Sequence, residues 1–392
     1  MSEERLLERF VRYCEIPSIT GNERAMIDTI AAELREWGID SREDDAAGPA
    51  RAGAGNLIAH VPPAETAETS PGGTETQSRE WVSFFAHVDT VPHDEPIVVA
   101  EADGVFRTAG NTILGADNKA AVAVMLAAVA DLVRGDRPHA GVELVLTPME
   151  EVGLRGAKEF DTSRLRARVG YCYDHAAPIG NIVLAAPTQR TVRFRFIGRA
   201  AHAGIAPEDG RSAIVAAGRA IADMPLGRID AETTANVGIV KGGIAGNIVP
   251  PECLVEAEAR SRNPGRLREQ VQAMLDAATF AANLAECELE SRIEPEYEGY
   301  RFARSDPAVR LAARALEACG REPVYIESGG GADANVWNAG GLECVNLCNG
   351  MAEIHTASEH IAASDLDVML DVTLALIDAA RNPLQPSTIA SA

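Results

Sequence analysis

The apolar positions follow two rhythms, and the change between them divides the chain into three parts. Over 3–14 and 22–38 they recur at helical spacing. Ile27, Ile30, Ala31, Leu34 and Trp37 share one face of the second segment, and Gly38 suits its C-terminal stop. Apolar runs at 56–61, 81–87, 142–147 and 169–174 read as strands, and 104–108 as a shorter one. Residues 119–133 are strongly helical, with Gly135 behind them. Strands alternating with helices predict a parallel α/β sheet. Residues 62–80, rich in Pro, Thr, Glu and Gly, read as a mobile surface loop.

From Gln189 the rhythm changes. Thr191-Val-Arg-Phe-Arg-Phe-Ile197 alternates with period two, as a strand with one wet face does. A helix over 212–222, strands at 235–240 and 254–261, a helix opened by Asn263-Pro264 and running toward Ala285, and a strand over 286–297 follow. This β-α-β-β-α-β order is ferredoxin-like. After Tyr300 the first rhythm returns: a helix over 307–319, strands at 324–327 and 343–347, and a closing helix over 365–380, with a disordered tail. The predicted organisation is one domain over 1–188 and 300–392, interrupted by an inserted domain over 189–299. No repeat of fixed period is visible.

Composition narrows the class. The 392 residues and 46% hydrophobic content give room for two domains and a large core. A net charge of −22 argues against nucleic-acid or anionic-membrane partners, while bound divalent cations would offset part of it. The longest apolar run, near 120–130, is too short to span a bilayer, and the charged N-terminus has no signal-peptide pattern. The seven cysteines are scattered and odd in number, which predicts reduced thiols and a cytoplasmic address. Cys344 and Cys348, the closest pair, read as buried thiols because no second pair completes a metal site.

The candidate chemistry lies at the strand ends. The 81–87 run stops at His87, with Asp89 two residues on; a metal-binding imidazole needs its other nitrogen held. The 142–147 run leads into Glu150-Glu151. Adjacent residues in extended chain point opposite ways, so one can serve a metal and the other act as base on water; the residues alone do not say which. The 169–174 run ends at Asp174. Asp117 stands where a helix N-cap would, and capping is compatible with metal ligation. A later loop carries Glu353-Ile-His355-Thr. In parallel sheets ligands bind at the carboxyl ends of strands, which places His87, Glu150, Glu151 and Asp174 together. Each residue alone has a plainer reading, as a turn pair, a cap or a solvated acid; their coincidence favours chemistry. Two His and three carboxylates suit zinc, with cobalt or manganese as substitutes, and two ions sharing one carboxylate would use them all. The Ser328–Gly331 turn can cradle an anion through N–H groups but lacks the Lys-Ser/Thr of a nucleotide loop.

His87-Val-Asp-Thr-Val-Pro92, Gly115-Ala-Asp-Asn-Lys119, Thr147-Pro-Met-Glu-Glu-Val-Gly153, Tyr173-Asp174 and Glu353-Ile-His355-Thr together resemble metallopeptidase family 20, most closely its peptidase T-like branch. The resemblance runs through nearly the whole chain. It implies a mostly parallel-sheet zinc-exopeptidase catalytic domain with an inserted lid and dimerisation domain, and hence a homodimer. Carried over by motif, His87, Asp117 and Asp174 would hold one zinc ion. Asp117, Glu151 and His355 would hold the other. Glu150 would be the general base and Asp89 would orient His87. Gly198-Arg-Ala-Ala-His202-Ala-Gly204 resembles a loop whose His reaches the neighbouring subunit's site to stabilise the oxyanion. Asn247, Arg260 and Gly330 would meet substrate; Arg260 could clasp a carboxylate, or form a structural salt bridge. Ala332 departs from the Ser often found in relatives. His60, His93, His139 and His360 match no role and read as structural or exposed. The implied activity is a tripeptidase-like aminopeptidase acting on short peptides. An N-acyl-amino-acid amidohydrolase or carboxypeptidase would use the same metals, and a non-catalytic metal- or peptide-binding protein would share the fold.

Overall fold

Continuous apolar runs become strands covered on both faces. Trp81–His87 and Gly141–Thr147 are buried along nearly their whole lengths, and Val169–His175 through its middle. The structure, a computed structural model, describes residues 5–64, 81–135 and 137–381. Most of the predicted loop over 62–80 and the predicted disordered tail lie outside the described residues.

The described chain divides into two compact units. The first comprises Met1–Leu184, Phe302–Glu327 and Ala332–Ala392; the second comprises Ala185–Arg301 with Ser328–Gly331. In the first, Gly141–Thr147, Trp81–His87, Val169–His175 and Glu343–Cys348 lie side by side and parallel. Leu57–Val61 and Ser41–Glu43 extend one side antiparallel, and Asn181–Ala186 flanks the other antiparallel. The centre of the sheet is therefore parallel, as the alternating pattern predicts, and its flanks are not. The register sets His87 opposite Thr147 and Cys348 opposite His175, so the carboxyl ends finish level. The helices Leu6–Glu15, Ala116–Arg134, Pro307–Ala318 and Ala363–Ala380 supply apolar side chains to one core cluster with these strands. All seven cysteines are free thiols. Cys344 has its sulfur 3.6 Å from that of Cys172 on the next strand, since parallel register overrides nearness in sequence.

The second unit has its own core. Its sheet orders Gly227–Arg228, Thr233–Gly242, Glu252–Ser261, Thr188–Ile197 and Glu288–Tyr297, all antiparallel. The helices Ala213–Asp223 and Pro264–Leu284 pack on it, reproducing the predicted β-α-β-β-α-β order. Ser212 caps the first helix by accepting from the Val215 N–H. Asn263 caps the second by accepting from Gly265 and Arg266 N–H.

Candidate metal centre

His87 is 2% exposed at the end of its strand. Its Nδ1 lies 3.0 Å from the Asp89 carbonyl oxygen, so the ring donates there and presents Nε2 as a lone-pair donor. That Nε2 lies 3.1 Å from Asp117 Oδ1 and 3.6 Å from Asp174 Oδ1. On the other side of the same carboxylate, His355 Nε2 is 3.2 Å from Asp117 Oδ2 and 3.2 Å from Glu151 Oε1. Asp117 thus stands between two imidazoles, one on each oxygen. His87, Asp117 and Glu151 each bring one ligand atom within 4.8 Å of the other two. The five expected ligands come together.

Asp117 is not a conventional cap. The helix containing it is non-helical at Asp117 and Asn118, and its carboxylate turns to the two imidazoles. Glu359 secures this bend: it is 1% exposed and accepts from the N–H groups of Leu114, Gly115 and Asp117 at 2.8, 3.0 and 3.1 Å. Gly115 sits at φ +75°, where a side chain would be strained. Lys119, the last residue of the motif, is fully buried and donates to the Ile16 carbonyl at 2.7 Å. Burial pushes its amine down to about 8.

Asp89 does two jobs. Its carbonyl orients His87, while its carboxylate accepts from the Glu150 N–H at 3.0 Å, the Glu151 N–H at 3.3 Å and the Thr20 hydroxyl at 2.8 Å. It therefore ties the Glu150-Glu151 turn to the His87 strand. Asp174 is held through its main chain by Asn346, which accepts from its N–H and donates to its carbonyl, and through its carboxylate by Asn118 Nδ2. Asp333 is 3% exposed; its Oδ2 accepts from the Thr147 hydroxyl, and its Oδ1 has no hydrogen-bond partner among the described residues. Sequence reasoning did not pick out Glu359, Lys119, Asn346 or Asp333. Glu359 and Asn346 lie outside the matched motifs, and only an acid or amide near a strand end marks them.

The donor set fits metal. The buried acids Asp89, Asp117, Asp333 and Glu359 and the half-buried Glu150, Glu151 and Asp174 outnumber the nearby cations even with both imidazoles protonated. Hydrogen bonds to Asp117 and Glu151 push His355 up to about 10, a sign that the acids call for positive charge. Glu151 Oε1 is buried, 3.2 Å from His355 Nε2. Burial, reinforced by Asp174, Asp333 and Glu151, raises Glu150 well above the ordinary carboxylate range.

The remaining candidates belong to the second unit. His202 is exposed, and its Nδ1 accepts from the Gly204 N–H at 3.2 Å. Asn247 lies on the neighbouring loop, joined by the Ala203 N–H to its carbonyl. Arg260 places Nε and Nη2 at 3.0 and 2.8 Å from the Glu258 carboxylate, the geometry of a salt bridge. The Gly330 N–H is directed internally, to Ser328 Oγ at 3.0 Å. A packing reason for the adjacent glycine is plain: a Cβ on Gly331 would lie 2.3 Å from the Tyr297 ring.

Fold and donor set define an α/β metallohydrolase. Residues 84–379 match the model of peptidase family M20/M25/M40, and the chain belongs to that family, which is metal-dependent and whose members are peptidases. The YqjE protein of Bacillus subtilis (strain 168) is 39% identical over 380 residues, covering 97% of this chain and 99% of its own. The aminopeptidase PepT of Bacillus cereus superposes with a TM-score of 0.83 at 38% identity, and a Staphylococcus aureus tripeptidase with 0.87 at 34%. Each pairing covers 97% of this chain and 99% of the other.

Proposed function

We propose that the protein is a dinuclear zinc aminopeptidase of tripeptidase type, acting on short peptides with a free N-terminus. The observation that carries the reading is the Asp117 carboxylate, whose two oxygens face separate imidazoles at 3.1 and 3.2 Å. Similarity to an aminopeptidase and a tripeptidase supports the substrate class. His87, Asp117 and Asp174 would hold one ion, and Asp117, Glu151 and His355 the other. When bound, such a pair supplies Lewis-acid charge that polarises a carbonyl and makes water acidic near neutral pH.

The chain's own groups do the rest. Glu150 takes a proton from the attacking water and returns it to the leaving amine. Its raised affinity for protons suits a group that must both accept and deliver one. Asp89 fixes the backbone of Glu150 and the ring of His87 together. His202 donates to the oxyanion of the tetrahedral state, serving the site of a partner in a homodimer joined through the second unit. Asn247, Gly330 and the outer edge of Arg260 meet substrate. No helix among the described residues is long and apolar enough to cross a membrane, and with the free thiols this supports a cytoplasmic address.

Four substrates test the reading: a free tripeptide, its N-acetylated and C-amidated forms, and an N-acetyl amino acid. Cleavage of the free and amidated peptides alone is expected. Turnover of N-blocked compounds, lost on C-amidation, would replace it with a carboxypeptidase or deacylase.

A further inference from the structure

A second charged concavity lies at the other end of the catalytic sheet. It encloses about 240 Å³ and is lined by Asp40, Arg42, Ile58, His60, Arg164 and Arg166. The strand Trp81–His87 separates the two places: His87 is at its carboxyl end, and Trp81, under the Arg166 guanidinium at 4.6 Å, is at its start. Six residues of strand span roughly 20 Å. The concavity is therefore distinct from the metal centre.

Its lining is set by strand register. Arg42 pairs with Ile58, and His60, two residues on, points to the same face. His60 in turn pairs with Glu143, whose fully buried carboxylate lies 3.2 Å from His60 Nε2. Glu143 also accepts from Ser83 Oγ at 2.9 Å and from the N–H groups of Arg166 and Ala167 at 2.9 and 3.0 Å. These contacts hold His60 and the Arg164–Arg166 segment in place, and none of them reaches a guanidinium. Among the described residues no ion pair involves Arg42, Arg164 or Arg166, and Asp40 is the single acid in the lining. In a protein of net charge −22, three exposed arginines against one lining acid make this hollow locally positive and attractive to an anion.

We propose that this hollow is a binding site for a small oxyanion, a phosphate- or carboxylate-bearing metabolite held by Arg42, Arg164 and Arg166. Guanidinium forks match both groups, donating paired N–H bonds to their oxygens. The volume accommodates a small metabolite. The Arg166–Trp81 stack pre-orders one of the three forks, which lowers the entropy lost on binding.

The test uses the full-length, metal-loaded protein at low ionic strength, titrated calorimetrically with glycerol phosphate and, separately, with succinate. Saturable one-to-one binding of at least one anion is expected. Phosphate alone would identify a phosphate source, succinate alone a carboxylate source, and both a site that reads charge. Arg42→Ser/Arg164→Ser removes two exposed side chains and should weaken binding about ten- to a hundredfold while sparing tripeptide turnover, which also reports that the variant is folded. Arg219→Ser/Arg268→Ser removes the same charge from exposed positions elsewhere and should leave binding intact. Absence of binding of both anions, binding that survives the first double substitution, or binding lost equally in the second would overturn the proposal.

Discussion

At the scale of single residues the site separates holding from reacting. His87, Asp117, Glu151, Asp174 and His355 converge on one another, whereas Glu150 has its backbone fixed by Asp89 and its carboxylate set among acids. Glu150→Gln keeps the shape and removes the base. It should bind metal as the parent does and lower kcat by about 10²- to 10⁴-fold; near-normal turnover at full metal content would exclude the role. Asp333 makes a second prediction. Burial, with Asp174 and Asp89 near, pushes it up to about 7 against the hydrogen bond from Thr147. The folded chain then binds more protons than the unfolded one between about pH 4 and 7, so this group's stabilisation is present below that window and lost as pH rises through it. In chelator-treated protein, Asp333→Asn should be more stable than the parent at pH 8, and the gap should close toward pH 4. Urea unfolding across that range would show it, and a gap independent of pH would remove Asp333 as its source.

Which site residues were legible in the sequence follows from where they sit. His87, Glu150 and Asp174 end or follow strands whose apolar runs are continuous, so the pattern points at them. Glu359 is invisible because its partners lie more than 240 residues away in the chain and are backbone N–H groups with no sequence signature. The His-x-Asp spacing points to Asp89 as the group that holds the His87 ring, and the atom that does so is its main-chain carbonyl.

At the scale of elements, buried strands and long helices were readable, as were the short strands Val105–Thr108 and Val324–Glu327, but other short strands were not. Ser41–Glu43, Val99–Ala102 and His360–Ala362 each have at most four residues and little buried surface, so no period can establish itself. Asn181–Ala186 is mostly buried but runs antiparallel beside a parallel sheet, a pairing that apolar pattern does not specify. The Pro264–Leu284 helix was readable from its start signal, and that signal carries energy. Asn263 satisfies two N–H groups that would otherwise lack partners in the chain. Asn263→Ala should cost about 1 kcal/mol, and Asn263→Ser should recover most of it. Calorimetry should place the loss in the melting of the second unit; an unchanged transition would mean that solvent replaces the cap without cost.

At the scale of the whole molecule, the excess of acid is partly concentrated where metal is expected. Chelation should therefore lower the melting of the first unit and leave that of the second unchanged. Ligand linkage is worth about 4 kcal/mol when free metal stands a thousandfold above its Kd, so the shift is measurable. Equal melting with and without chelator would argue that the acids are neutralised by protons alone. The second unit raises the last question, because His202 is exposed and is proposed to act on the oxyanion in a partner's site. If its imidazole serves a partner's site, two defects on different chains can complement. His202→Ala removes the donor and Glu150→Gln removes the base; each homodimer should be nearly inactive. In a mixed dimer, the chain with intact Glu150 is served by the partner subunit with intact His202, so one of the two sites is whole. Equal mixing gives about half mixed dimers under random exchange, and activity should return to roughly a quarter of the parent. Subunit exchange confirmed by mass, with no recovery, would place His202 within its own chain's site or outside catalysis altogether.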